Sequence, residues 1–170
     1  MTRLYLVALL MLSSLTMTAQ RYAIIDTKYI LGKLPDYKKA NEKIEEFSEA
    51  WQQEIDLLQA DLDKMYREFE GEKAMLTPEL LKKREDEIFN KEKQVRDLQR
   101  KRFGYEGDYF KKKEDLVKPI QEKVYNAVQR LAGEKMYDFI LDKSEGITVI
   151  FADPKLDKSD DVLKILGIKL

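Results

Sequence analysis

Cysteine and histidine are both absent from this chain of 170 residues, and tryptophan occurs once. Without cysteine the chain can form neither a disulfide nor a lipid-modified N-terminus, so its stability must come from packing or from assembly. It also lacks the commonest general base, the thiol nucleophile and the softer metal ligands. No glycine-rich phosphate loop is present. We therefore predict no enzyme, no cofactor and no metal site.

Long apolar segments are scarce, while charged residues make up 37% of the chain. The mean hydropathy of -0.53 is too polar for a compact globule of this length, which favours an elongated molecule. Basic and acidic residues nearly balance, at 31 and 32. This balance gives no reason to expect a nucleic-acid partner.

The one clearly apolar run lies at the N-terminus and predicts a signal peptide over residues 1–19. Arg3 supplies the positive charge, residues 4–12 form the apolar core, and Ala19 is a small residue suited to cleavage. The run is shorter than the ~20 residues that a membrane-spanning helix needs. We therefore predict export, cleavage before Gln20 and no stable membrane insertion afterwards.

The segment from Ala40 to Phe69 has the pattern of a coiled-coil helix. Its apolar residues recur at steps of three and four, with charges between them, so the helix must pair with another to cover its apolar stripe. These residues are Ala40, Ile44, Phe47, Trp51, Ile55, Leu58, Leu62, Met65 and Phe69. After the turn signal Leu76-Thr77-Pro78, a second helix is predicted from Glu79 to about Lys118, long enough to fold back along the first.

Two glycines interrupt the second helical pattern, at Gly104 and Gly107. If the chain folds back at Met75 and Leu76, Phe47 and Trp51 lie near Gly104 and Arg100, and Ile44 lies near Gly107. There the first helix contains an eleven-residue step, which locally unwinds a coiled coil. Two interpretations are open: the glycines allow close packing against the large rings, or they form a hinge at which the arm bends.

The second helix carries another apolar stripe, which lies one residue after the stripe expected to pack on the first helix. It includes Phe89, Phe103 and Phe110. These rings either widen the packed face or form an exposed apolar surface for a partner. Tyr66 and Met75 are off-seam apolar residues of the same kind. The basic runs 100–102 and 111–113 are best explained by charge matching, because the first helix is strongly acidic.

The two ends of the chain predict a small β-rich body. Strands are expected at Tyr22 to Asp26, Tyr137 to Leu141 and Ile147 to Ala152, with the last two forming a hairpin. Pro119 should kink the returning helix or restart it, and a final short helix should be capped by Ser159 and closed by Gly167. So few strands leave edges open, so we expect other copies to complete the body. The residues assigned to this oligomerisation body are Ile24, Ile25, Phe139, Leu141, Val149 and Phe151.

Nearly the whole mature chain resembles the Skp (OmpH-like) family of periplasmic chaperones. The matching motifs occur in the family's order: AIIDTKYIL at 23–31, LPDYKKA at 34–40, LTP at 76–78, Pro119-Ile120 with Lys123-Val124 and Ala127-Val128, YDFILD at 137–142, VIFAD at 149–153 and LDKSDDVL at 156–163. No single motif is diagnostic, but their order on both sides of a long arm makes the resemblance specific.

The resemblance implies an α+β homotrimer, in which antiparallel coiled-coil hairpin arms (36–118) enclose a cavity and extend from a shared β-sheet body (20–35 and 119–170). Such proteins hold unfolded outer-membrane proteins in the periplasm without ATP. Phe89, Phe103, Phe110, Tyr66 and Met75 are the candidate client contacts. Because this chain is slightly acidic whereas the best-known members are basic, strong binding of lipopolysaccharide or anionic lipid is not expected. The rival interpretation is a structural coiled-coil spacer or adaptor of the cell envelope.

Overall fold

The structure, a computed structural model, describes residues 20–146 and 149–169. The predicted signal peptide and the first two residues of the predicted third strand lie outside the described residues. The chain divides into two compact units. We call residues 34–123 the helical unit, and residues 20–33 with the described residues from Val124 onwards the mixed unit. No helix in the part of the chain described is both long and apolar enough to cross a membrane.

The fold is mostly helical, with one small parallel sheet. In chain order the elements are β1 (Tyr22–Ile25), α1 (Thr27–Lys33), α2 (Pro35–Glu72), α3 (Pro78–Phe103), α4 (Asp108–Lys135), β2 (Phe139–Asp142) and α5 (Ser159–Ile165), with 3₁₀ turns at Lys73–Met75 and Pro154–Leu156. Proline occupies the first position of both α2 and α3, where its missing N–H costs nothing. Helix α4 begins in the helical unit and ends in the mixed unit.

The core of the helical unit is the predicted seam. Leu62 and Phe69 of α2 form a buried cluster with Ile88 and Val95 of α3. Ala40, Ile44 and Ile55 of the same α2 stripe are buried too. Truncating a buried side chain of this size to alanine typically costs about 2 to 5 kcal/mol. This narrow stripe is therefore the main source of stability for two very polar helices.

The turn between α2 and α3 is confirmed at Leu76-Thr77-Pro78, but the predicted register was wrong. The Thr77 hydroxyl accepts a hydrogen bond from the Leu80 N–H and caps α3. Glu54 pairs with Arg102 at 2.9 Å and Glu72 with Arg84 at 3.2 Å. Both basic partners lie five residues further along the chain than a fold about Met75 and Leu76 predicts, because the 3₁₀ turn and the cap residue come before α3 begins.

The predicted single helix from Glu79 to Lys118 is two helices. Helix α3 ends at Phe103 and α4 begins at Asp108, so residues 104–107 form a break. The possibility that a new helix starts at Pro119 was wrong, since α4 is helical on both sides of that residue. The glycines, not the proline, interrupt the returning chain.

Backbone crowding explains why both positions need glycine. A Cβ atom on Gly104 would lie 2.3 Å from the carbonyl oxygen of Arg100, and one on Gly107 would lie 2.8 Å from that of Lys101. The nearest obstacles are therefore backbone atoms of the same turn, and not the rings of Phe47 and Trp51 on which the packing interpretation rested. Bending at this break remains a prediction.

The mixed unit contains a parallel pair of strands, and the predicted hairpin was wrong because residues 149–152 form no strand that could pair with β2. β1 pairs with β2 in register from Tyr22 with Phe139 to Ile25 with Asp142. Of the predicted third strand, residues 149–152 form no strand. The other edge of β1 is occupied by a later segment, in which Asp157 bridges to Ile24 and the Lys158 N–H donates to the Ile24 carbonyl at 2.8 Å.

Hydrogen bonds to Asp142 explain why the chain leaves the sheet there. Its carboxylate accepts bonds from the Ser144 N–H at 2.9 Å, and from the Thr27 N–H at 3.2 Å and the Thr27 hydroxyl at 2.5 Å. Burial by itself would raise the pKa of Asp142, but these bonds outweigh it and hold the pKa below its usual value. The Asp142–Ser144 turn bends the backbone out of the sheet, which opposes the predicted hairpin.

The last helix differs from the prediction at its start and agrees at its end. Ser159 is not the cap of α5: its hydroxyl accepts a bond from the Asp26 N–H at 2.9 Å and donates one to Asp157 at 2.6 Å. Burial would raise the pKa of Asp157, but bonds from Lys143 and Ser159 lower it. Gly167 ends α5 at a φ of 79°, as predicted.

Replacing Asp142 by asparagine should destabilise the mixed unit by about 1 to 3 kcal/mol near neutral pH, because the charged acceptor is lost. Since the folded state holds the pKa of Asp142 low, its contribution is present above the unfolded pKa and disappears as pH falls through the folded value. The difference between Asp142→Asn and wild type should therefore shrink progressively as pH falls below about 3.9, the ordinary pKa of an aspartate. Urea unfolding at neutral pH and at a series of acidic pH values, with Asp97→Asn in the helical unit as control, measures this. A constant difference at every pH would contradict the assignment.

Replacing Gly104 by alanine should destabilise the helical unit, because the new methyl group meets a backbone carbonyl. The same change at Gly71 in α2 is the matched control: a Cβ there meets no atom within 4 Å, so alanine should stabilise that helix by up to about 1 kcal/mol. Urea unfolding followed by the fluorescence of Trp51 compares the two. Equal stabilisation by both variants would show that the observed break is not required.

Candidate functional site

The five predicted client contacts are all at least partly exposed in the helical unit. Met75 lies in the 3₁₀ turn with 81% of its surface exposed, while Phe89 and Phe110 are 59% and 53% exposed on α3 and α4. Tyr66 and Phe103 are exposed to a smaller extent. The interpretation in which the phenylalanine stripe widens the packed face therefore does not hold for Phe89 and Phe110.

Tyr66 is attached to the neighbouring helix through its hydroxyl group, which donates a hydrogen bond to Glu92. This bond raises the pKa of Tyr66 and lowers that of Glu92, and Arg96 lowers the latter further. The ring of Tyr66 remains at the surface while its polar end is fixed. Tyrosine held in this way offers an apolar contact at little cost in conformational entropy.

Phe103 belongs to an aromatic cluster next to the helix break. Its ring centroid lies 6.3 Å from that of Trp51, in an edge-to-face arrangement, and 6.1 Å from that of Tyr109. Phe47 stacks on Trp51 at 5.7 Å. The cluster brings together rings from α2, α3 and α4, so Phe103 has a structural role that Phe89 and Phe110 lack.

Two cations cover this cluster. The guanidinium of Arg102 lies 5.3 Å from the centre of the Trp51 ring, and the ammonium of Lys112 lies 4.8 Å from that of Phe47. Arg102 also pairs with Glu54 on α2 at 2.9 Å and with Asp108, the first residue of α4, at 2.5 Å. A single side chain therefore connects both sides of the break to the opposite helix.

Charge matching accounts for only part of the basic runs. Arg102 has the predicted acidic partner on α2. In contrast, Arg100, Lys101, Lys111 and Lys113 form no ion pair with any carboxylate of the described residues, and all four are exposed. A local excess of positive charge therefore remains on this part of the helical unit.

The residues assigned to the oligomerisation body fall into two groups. Ile24 and Ile25 are buried inside the mixed unit, while Leu141 and Val149 are half-buried. Phe139 is exposed and stacks on Tyr22, with ring centroids 5.6 Å apart. Phe151 is 85% exposed in a segment without regular structure. Of these six residues, Phe139 and Phe151 are the ones that offer exposed apolar surface to another molecule.

The most exposed aromatic residue among those described was not among the predicted site residues. Tyr105 lies within the break and is 95% exposed. The signal that could have identified it is its place in Gly-Tyr-Glu-Gly, since flanking glycines favour a loop over a packed helix.

Comparisons with known proteins identify the family. A search of curated proteins returned no match. Among solved structures, the chain is similar to the crystal structure of a candidate outer membrane chaperone (OmpH-like) from Caulobacter crescentus CB15. The TM-score is 0.69 at 12% sequence identity, and the match covers 89% of this chain and 85% of that one. At this identity the likeness concerns the fold.

The family assignment itself rests on the sequence. The profile of the family described as outer membrane protein (OmpH-like) matches residues 21–166, which include both units of the structure. The match agrees with the motifs found at the two ends of the chain. This chain belongs to the OmpH-like outer membrane protein family.

Proposed function

We propose that this chain is a periplasmic holdase chaperone that binds unfolded outer-membrane proteins without ATP and prevents their aggregation. The observation that carries the proposal is the set of exposed apolar side chains on the helical unit of an OmpH-like protein. The signal peptide predicted over residues 1–19 would direct it to the periplasm and then be removed.

The exposed rings suit this function because they are costly without a partner. Phe89 and Phe110 lie among charged residues on α3 and α4 and expose more than half of their surface. Each fully buried phenylalanine gains about 1.5 to 3 kcal/mol from leaving water, so these positions forgo most of that gain. A surface for unfolded apolar segments accounts for that loss.

The chemistry of these contacts suits many clients. Met75 is flexible and polarisable, and aromatic rings accept apolar groups from several directions. Such contacts are individually weak and do not require one client sequence. A holdase needs this combination, since it must bind many unfolded chains and release them without consuming a nucleotide.

The helical unit would act as the arm of this chaperone. We propose that α2 and α3 form an antiparallel coiled coil, because their ion-pair partners follow one another in opposite order along the two helices. Gly104 and Gly107 would let the arm bend at the break. Three such arms would enclose a cavity for the client.

The mixed unit would form the trimeric body. Phe139 stacks on Tyr22 at the surface, and Ile150 and Phe151 are nearly fully exposed. Large apolar side chains in such exposed positions forgo most of the free energy that burial would provide. A second copy of the chain is the partner that would cover them, and the edge of β2 that faces away from β1, which pairs with no strand of the described residues, offers a further contact.

The function is tested by diluting a urea-denatured outer-membrane β-barrel protein into buffer with the chaperone. A holdase keeps the barrel protein soluble at a near-stoichiometric ratio, whereas a coiled-coil spacer of the envelope does not. Bovine albumin at equal mass controls for non-specific protection. Aggregation at the same rate with and without the chain would overturn the proposal.

Replacing Phe89 and Phe110 together by serine should weaken aggregation suppression and leave the free energy of unfolding nearly unchanged, because both rings are largely in solvent. Gln53→Ser, at an exposed polar position of α2, is the control and should affect neither property. Phe103→Ser should destabilise the protein, since its ring packs on Trp51 and Tyr109. Full suppression by the double variant would remove these two rings from the client surface.

Replacing Phe151 by aspartate should weaken the trimer by at least about tenfold, because a charge would enter an apolar contact between copies. The folded protomer should tolerate the change, as this side chain is 85% exposed. Multi-angle light scattering across micromolar concentrations measures the mass, with Leu57→Asp as control. A stable wild-type monomer would contradict the trimer, and an unaffected variant trimer would exclude Phe151 from the interface.

A further inference from the structure

The break between α3 and α4 has a defined, hydrogen-bonded backbone structure. The chain already reverses direction at residues 73–77, and the break does not reverse it again. The Gly107 N–H donates to the Gly104 carbonyl at 2.9 Å, and the Lys111 N–H donates to the Gly107 carbonyl at 3.1 Å. Glu106 has a φ of 54°, a backbone conformation that is unfavourable for most residues with a Cβ. Conformations of this kind persist where the surroundings hold them in place.

The two ends of the break are fixed. Arg102 pairs with Asp108 across it and with Glu54 on the opposite helix. Phe103 packs on both Trp51 and Tyr109. The loop is therefore held at both ends, and what it carries is presented at a defined place on the helical unit.

The loop presents a tyrosine. Tyr105 is 95% exposed, more than any other aromatic residue in the described part of the chain. A helical residue at this position would carry its ring along the helix surface. The break instead places the ring in solvent, where it covers nothing within the part of its unit that is described.

The helices on either side add unpaired positive charge. Residues 100–113 contain six basic and two acidic side chains, and one of the six, Arg102, is engaged by Glu54 and Asp108. Arg100, Lys101, Lys111 and Lys113 are exposed without an ion pair to a described carboxylate. The nearby Lys112 and Arg102 already lie over aromatic rings at 4.8 and 5.3 Å. The surface therefore combines cations with aromatic contacts.

We propose that residues 100–113 form a binding site for extended polypeptide segments that carry an aromatic side chain next to carboxylates. Tyr105 stacks on the aromatic side chain, and the flanking lysines and arginines pair with the carboxylates. This proposal rests on the proposed function, because it takes unfolded protein as the ligand, and it adds the class of segment that this site binds. Electrostatic attraction to the cations would speed the encounter.

A purely structural explanation makes a different prediction. The eleven-residue step in α2 between Ile44 and Ile55 shifts the packing stripe, and a break in the opposite helix could correct for it. That correction needs the glycine backbone, but it needs neither the ring of Tyr105 nor the unpaired cations. Variants that keep Gly104 and Gly107 and change only Tyr105 therefore separate the two explanations.

The test measures the binding of three fluorescent, unstructured peptides of equal length by anisotropy. The first contains aromatic residues and glutamates, the second leucines and glutamates, and the third aromatic residues and lysines. The wild-type chain should bind the first most tightly. Tyr105→Ala should weaken that binding by about three- to tenfold and leave the second peptide unaffected. Lys101→Gln combined with Lys111→Gln should remove the preference for the first peptide over the third.

Tyr125→Ala is the matched control, because Tyr125 is exposed on a regular part of α4 outside the site. Unchanged Trp51 fluorescence and urea unfolding would show that Tyr105→Ala keeps its fold. Equal binding of all three peptides by wild type, or unaltered binding by Tyr105→Ala, would overturn the proposal. Binding to anionic lipid vesicles without binding to the first peptide would overturn it as well.

The two proposals fail in distinguishable ways. If wild type suppresses β-barrel aggregation but shows no peptide preference, this site is excluded and the holdase function stands. If wild type shows the peptide preference and its dependence on Tyr105 but does not suppress aggregation, the holdase function fails and the binding site stands.

Discussion

The helical unit depends on one constraint: two very polar helices must stay together through a single narrow apolar stripe. The stripe on α2 is regular from Ile55 to Phe69, but between Ile44 and Ile55 it skips a full buried turn. An eleven-residue step rotates the stripe relative to a seven-residue repeat. The apolar stripe of the returning helices must therefore shift its phase at the same level. The break after Phe103 lies at that level, because Trp51 and Phe103 are in contact there.

The change of phase explains why large rings and an arginine occupy this level. Where the two stripes no longer interlock, aliphatic side chains would leave voids, whereas Trp51 and Phe103 can span a wider gap. Arg102 then connects three helices through Glu54 and Asp108, and its guanidinium lies over the ring of Trp51. Hydrogen bonds that Arg102 donates to both carboxylates outweigh partial burial and keep the pKa of Arg102 high. The charge is therefore retained where it is needed.

Local patterns predicted well what short-range chemistry decides. The α2 stripe, the Thr77-Pro78 start of α3 and the Gly167 end of α5 each depend on residues within one or two turns. The hairpin failed because Asp142 bonds to Thr27, more than a hundred residues earlier in the chain, and no local pattern contains that contact. The glycines were recognised as unusual, but their reason is the approach of backbone carbonyls within the break, which periodicity does not show.

The candidate site shows why overall charge is a poor guide to what such a protein attracts. The chain has a formal net charge of -1, yet residues 100–113 alone carry six basic and two acidic side chains. At physiological salt, exposed charges are screened beyond about 8 Å, so a ligand at Tyr105 responds to nearby charges, among which those of residues 100–113 are mostly basic. The formal net charge of the whole chain is therefore a poor predictor of which segments the proposed site would attract. The relevant quantity is the charge left unpaired beside an exposed ring.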